Sequence, residues 1–390
     1  MKIGIYHDSV GTRHAGGIAI YARQMAIELA TSNEVYIYTQ GDDIVPPLVE
    51  SEVHIVETPT FDRSTLDSRL TSLVGNPFPV GRQELSKLAM TIWSSYNGVI
   101  DHIDEHVDVL LTFQTLDDLL LSNLVDVPTI RGFLSDRGAG IGSAVRERYT
   151  QTDLHFANTP YLSDQVASKF GYEVDAVIPT GVDTELFNPK VKPAFDRDEI
   201  TILFVGRVVK SKGVFDLLKA VASLNEEVHL RIVGAGNEEG VRHQAQKLGI
   251  ADQVIVEGEV AHTDLPRYYT AADIFCLPTH VDSFATVNLE AMACGTAVVT
   301  TDLDGIQTYL SPGKNGVVVT PGDQDELAEA ISEVINDPTY RESLALRARE
   351  RAYDFQWSQQ AKELEAFCTD VLPEKEVERD LVEKQTALPS

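Results

Sequence analysis

Two hydrophobic patterns alternate along the chain. Short apolar runs rich in β-branched residues and bounded by Gly, Pro, Asn or Asp read as buried strands. The stretches between them carry apolar residues three and four apart, as a helix with one buried face does. The runs predict strands at Lys2–His7, Glu34–Thr39, Val53–Val56, Val107–Phe113, Pro128–Gly132, Leu154–Ala157 and Ala176–Pro179. A second series falls at Ile200–Gly206, Val228–Val233, Val254–Val256, Ile274–Leu277, Ala297–Thr300 and Gly316–Thr320. Helical spacing occupies Ile18–Ala30, Glu84–His106, Tyr161–Phe170, Val214–Leu224, Glu238–Leu248, Asn288–Cys294, Asp323–Ile335 and Ser358–Val371. Such alternation builds parallel sheets flanked by helices. It pauses at Phe187–Pro193 and the charged Asp196–Glu199. The expected fold class is therefore α/β, with two Rossmann-like domains, 1–188 and 189–357, facing each other across a cleft. The helix at 358–371 is free to cross back onto the first domain, and 373–390 reads as a flexible acidic tail.

Composition narrows the function classes. With 43% hydrophobic residues in 390, the chain has enough apolar surface to fold. Its 3 cysteines form no CxxC pair, so neither a disulfide framework nor a cysteine zinc site is expected. No run approaches the roughly 18 apolar residues of a membrane span, and the N-terminus enters a strand directly, so the expected setting is the cytoplasm. The 32 Lys+Arg against 60 Asp+Glu leave a net charge of −28, which disfavours nucleic acid as a partner. The acid is spread along the chain, as in a protein kept soluble in concentrated salt, so a solvated surface is the default role for any one carboxylate.

Two segments stand out against that background. In Gly206-Arg207-Val208-Val209-Lys210-Ser211-Lys212-Gly213 three cations follow a strand end and precede a helix, an arrangement suited to phosphate oxygens. Asp282 and Glu290 bracket the start of another helix, for which Thr286 or Asn288 is the expected cap. Carboxylates there suit sugar and ribose hydroxyls, and the amides of Ala285, Thr286 and Val287 are expected to be free for a phosphate. Asp302-Leu-Asp304 imitates a metal-binding DxD but lies next to Gly305 with no His nearby, so a turn is expected and no metal or other cofactor is required. Residues 69–96 combine Leu70, Leu73, Phe78, Leu85 and Trp93 with Arg82 and Lys87; a core helix is the preferred reading, with peripheral membrane contact the other.

Taken in order, these segments resemble the retaining glycosyltransferases of family 4, which have the GT-B fold. Further pieces agree: Gly16-Gly17-Ile18, Ala157-Asn158-Thr159, Pro179-Thr180-Gly181-Val182-Asp183 through Phe187-Asn188-Pro189, Val233-Gly234-Ala235-Gly236, and Tyr268-Tyr269-Thr270-Ala271-Ala272-Asp273. The resemblance implies a transferase moving a hexose from a nucleoside diphosphate sugar to a glycan or lipid-linked acceptor, at the inner membrane face or free in the cytoplasm. It places Arg207 and Lys212 on the diphosphate, Glu290 on the ribose and Asp282 near the donor sugar. Gly16, Gly17 and Gly206 would meet the donor through backbone. Arg131 stands where the family often has a His and would contact the donor, leaving His7, His14 and Asp136 as acid/base or acceptor candidates. The readings set against this are a nucleotide-sugar-binding protein without catalysis and a nucleotide-sugar epimerase.

Overall fold

Strands that are apolar along their whole length bury both faces, and that is how the sheets here are built. The computed structural model describes residues 1–11, 16–41, 44–58, 90–113, 116–135, 149–196 and 199–372, with backbone alone for 116–119. The chain divides into one unit of Met1–Pro179 with the C-terminal segment from Gln360, and a second of Thr180–Gln359.

The first unit holds a parallel sheet of β1 (Lys2–Tyr6), β2 (Glu34–Gln40), β3 (His54–Thr58), β4 (Val109–Thr112), β5 (Thr129–Phe133), β6 (Leu154–Ala157) and β7 (Ala176–Val177), in the order β3-β2-β1-β4-β5-β6-β7. The second holds β8 (Thr201–Val205), β9 (His229–Val233), β10 (Val254–Gly258), β11 (Ile274–Leu277), β12 (Ala297–Thr301) and β13 (Val317–Val319), in the order β10-β9-β8-β11-β12-β13. Every residue of β4, β5, β8, β11 and β12 is buried. All the strands expected from the hydrophobic runs are present, most of them within a residue at either end.

The differences have local causes. The boundary between units falls after Pro179 rather than at 188, because the backbone of Val182 pairs with Gln356 and Phe187 is buried in the core of the second unit. The last helix, Trp357–Asp370, begins in the second unit and ends in the first. There the Phe367 ring meets Phe156 edge-on and Glu365 accepts the side-chain amide of Asn33. The expected helix Glu84–His106 is interrupted: 90–96 and Val99–His106 are separate helices broken at Gly98, whose φ is +76°, and 84–89 lie outside the described residues. The helix Pro338–Ala352 differs from the sequence expectation, because its buried stripe consists of Leu344 and the two small residues Ala348 and Ala352 in an otherwise charged segment. Among the described residues no helix is long and apolar enough to cross a membrane. The expected tail at 373–390 and the 69–89 part of the amphipathic stretch lie outside them. Within 90–96, Trp93 and Tyr96 are exposed.

Candidate active site

In the second sheet the chain leaves β8 toward β9 on one side and β11 toward β12 on the other. Open α/β sheets bind ligands at such a switch point, beyond the carboxyl ends of the strands. The loops found there are Gly206–Gly213, which the sequence singled out, and Pro278–Ala285, which leads into the segment bearing Asp282 and Glu290.

The loops are fastened to each other. The backbone amide of His280 and the hydroxyl of Thr279 both donate to the Ser211 carbonyl, at 2.9 and 3.1 Å. His280 Nε2 lies 2.6 Å from Asp216 Oδ2, and Gln324 donates to the other oxygen of that carboxylate. Lys212 Nζ donates to Asp282 Oδ2 at 2.5 Å, with both side chains mostly buried. Arg207 is exposed between Gly206 and the buried Val208, whose amide is pinned to the Ala235 carbonyl. Of the two expected phosphate ligands, one thus faces solvent and the other is held against an acid.

That acid is committed to its surroundings. Asp282 Oδ1 accepts the amides of Phe284 and Ala285, at 3.3 and 3.0 Å. A carboxylate this short closes such a turn on its own backbone, as Asx turns do. The helix Thr286–Ala293 then starts after Ala285, which adopts φ 54° and ψ 63°. Two expectations are corrected here. Neither Thr286 nor Asn288 caps the helix; the Asn288 side chain is buried and donates to Tyr309 and Thr300. The Ala285 amide is not free. Those of Thr286 and Val287 are, since neither donates to any described group.

Glu290 sits one turn into the same helix and is 5% exposed. Its Oε2 accepts the Tyr269 hydroxyl at 2.8 Å and its Oε1 lies 3.0 Å from His262 Nε2. Tyr269 belongs to a recognised motif, but His262 carried no sequence signal. Burial opposes protonation of His262, yet the Glu290 hydrogen bond and the charges of Glu290 and Asp183 outweigh it, so its pKa lies above the ordinary histidine value. The sign follows from linkage: a raised folded-state pKa stabilises the protein fully below the unfolded value of about 6.5, and the gain is lost as pH rises through the folded pKa. His262→Gln is therefore expected to lower the melting temperature most at about pH 5.5 and to have a smaller effect at pH 8.5. Equal losses at the two pH values would show that the pair does not titrate as described.

In the first unit, His7 and Asp8 lie just beyond β1, both buried, with Ser9 N donating to His7 Nδ1 at 3.2 Å and Ser9 Oγ to Asp8 at 2.8 Å. Arg131 is 0% exposed, its guanidinium carbon 4.7 Å from the centre of the Phe133 ring. It is part of the β5 interior, not of an open surface. A Cβ at Gly16 or Gly17 would meet no atom within 4 Å, so nothing described in the protein demands glycine there. His14 and Asp136 lie outside the described residues. The expected turn at Asp302–Gly305 is present: Gln307 donates to Asp302, and no group of three or more metal-ligating side chains gathers among the described residues.

Two parallel Rossmann-like sheets, one in each unit, are the architecture of the GT-B fold. The solved structures agree on the fold. Sucrose-phosphate synthase from Thermosynechococcus elongatus matches with a TM-score of 0.74 and 20% identity over 95% of this chain and 98% of that one. Anabaena HepE in complex with UDP matches with 0.75 and 19% over 95% and 100%. Residues 188–351 match the family described as glycosyl transferases group 1. It is 27% identical over 394 residues to a D-inositol 3-phosphate glycosyltransferase of Paenarthrobacter aurescens, covering 90% of this chain and 92% of that protein. To a protein of that name from Catenulispora acidiphila it is 33% identical over 228 residues, 53% of this chain and 54% of the other.

Proposed function

We propose that the protein transfers a hexose from a nucleoside diphosphate sugar to a hydroxyl of a growing or lipid-linked glycan, with retention of anomeric configuration, and works in the cytoplasm. One observation supports the reading: the loop bearing Arg207 and Lys212, and the loop leading into the helix of Thr286, Val287 and Glu290, both leave the switch point of the second sheet and are bonded to each other. Donors for a leaving diphosphate and an acceptor for ribose hydroxyls are what such a substrate needs.

In the transfer, the bond from C1 to the diphosphate oxygen breaks as the acceptor oxygen bonds to C1 on the same face. The acceptor's proton passes to the departing phosphate oxygen, so no side-chain base is required. Arg207 and Lys212 neutralise the charge that develops there. Asp282, whose oxygens are taken by Lys212 and by the turn, acts by holding both rather than by gripping the sugar. In the first unit, Gly16 and Gly17 are candidates for close backbone approach by a ligand, and His7 is the described acid/base or acceptor candidate.

A thermal-shift screen of nucleoside diphosphate sugars, in low and high KCl, tests this. A bound donor raises the melting temperature by mass action, by about 2.7 kcal/mol of stability at a hundred times its Kd. HepE with UDP-glucose and the inositol phosphate relatives make a UDP-hexose the first donor and a polyol phosphate the first soluble acceptor to try. The anomer formed is then read by proton NMR. Donor binding with neither transfer nor hydrolysis would favour a binding protein instead, and an epimer formed without acceptor an epimerase.

A further inference from the structure

Ala285 is the one residue other than glycine with positive φ among those described. The left-handed region brings the Cβ of an L-residue too close to its own carbonyl, so something must hold Ala285 there. Two groups grip the turn from opposite sides. Asp282 takes its amides, as described. On the other side the Tyr309 hydroxyl, in a side chain 1% exposed, donates to the Phe284 carbonyl at 2.7 Å, with the Ala285 carbonyl 3.2 Å away.

The hydroxyl is itself fixed. Asn288 Nδ2 donates to it at 2.9 Å and lies 3.3 Å from Thr300 Oγ1, which donates to the Leu277 carbonyl. The turn is thereby tied to the carboxyl ends of β11 and β12. The Tyr309 ring stands 5.0 Å from that of Phe284 and 6.2 Å from that of Phe355, so the ring is packed among aromatic neighbours. Burial raises the phenol pKa well above its ordinary value, so the donor proton stays in place.

We propose that Tyr309 is a positioning residue for donor binding: its hydroxyl holds Ala285 in the left-handed conformation that turns the Thr286 and Val287 amides outward. The proposal rests on the donor reading above. Without the hydroxyl, the turn relaxes toward the right-handed region, and the peptide between Ala285 and Thr286 swings its N–H away from the switch point. Glycine reaches the left-handed region without steric cost. A chain with glycine at 285 therefore depends far less on Tyr309.

The test is a cycle of Tyr309→Phe, Ala285→Gly and the double variant in the full chain, read by calorimetric titration with UDP, GDP and ADP and by melting temperature. Tyr309→Phe is expected to weaken nucleotide binding about tenfold. Ala285→Gly is expected to bind like the parent and to melt no lower. The double variant is expected to bind within about twofold of Ala285→Gly, although its melting temperature stays reduced by the lost hydroxyl. A purely structural role for Tyr309 predicts no such rescue of affinity, so failure of glycine to restore binding overturns the proposal, as does parental affinity in Tyr309→Phe. If Tyr309→Phe does not fold, a lowered melting temperature in Ala285→Gly alone removes the premise of strain. A parent that binds none of the three nucleotides sinks the donor reading, and the positioning role with it. A parent that binds and a Tyr309→Phe that binds equally sinks the positioning role alone.

Discussion

Arg207→Ala is expected to lower kcat/KM by about a hundredfold or more while leaving the melting temperature of the free protein almost unchanged. Arg207 is exposed, and substitutions at such places change stability by about 0.5 kcal/mol or less. Its charge matters only when a diphosphate is present, and removing one donor aimed at developing negative charge costs on the order of a hundred- to a thousandfold in rate. Lys212→Ala should lose as much activity for a different balance of reasons. It also strips Asp282 Oδ2 of its cation, so a stability loss of about 1 kcal/mol accompanies the loss of function. In both variants the nucleotide-induced rise in melting temperature should vanish. Steady-state kinetics with thermal shifts in the presence and absence of nucleotide separate the two effects, and an undiminished shift in either variant contradicts the assignment of these cations to the diphosphate.

Gly213→Ala is expected to be the most damaging single change to the second unit. Gly213 has φ +73°, and a Cβ there would lie 1.8 Å from the Pro278 carbonyl oxygen. That oxygen belongs to backbone at the end of β11, so no side chain can rotate away to make room. The left-handed conformation costs an L-residue about 1–2 kcal/mol by itself, and the clash forces the two site loops apart. A loss of about 4 kcal/mol follows, in the range reserved for strain at special backbone positions. For a unit of this size it amounts to a drop of about 10 °C in melting temperature. Since Ser211 is bonded to Thr279 and His280, the variant should also bind nucleotide poorly at temperatures where it is still folded. Calorimetry and titration at 15 °C would read both, and a melting temperature within 2 °C of the parent would contradict the close approach.

A residue's role is legible in the sequence when its partners lie close by in the chain. Strands such as Thr201–Val205 and Ile274–Leu277 were legible because a strand buried on both faces is a continuous apolar run. Arg207, Lys212, Asp282 and Glu290 were legible as candidates because each belongs to a segment with its own spacing. The Thr286 or Asn288 cap was not borne out, since Asn288 turns inward to Tyr309, 21 residues further along. His262 and Tyr309 gave no signal at all. A lone histidine or tyrosine has no period, and its meaning comes from a partner such as Glu290, 28 residues away from His262.

By itself the amino-acid order determined the alternation of strands and helices, the pause near the unit boundary and the residue types available for phosphate and hydroxyl recognition. These are local properties, written in runs of neighbours. Only the tertiary structure decided that β8 and β11 lie side by side at the switch point, that Asp282 spends its oxygens on Lys212 and a strained turn, and that two amides of the Thr286–Ala293 helix remain free. Hydrogen bonds and close packing act over a few ångströms in space, whatever the separation along the chain, so which side chain meets which is settled only once the sheets have formed.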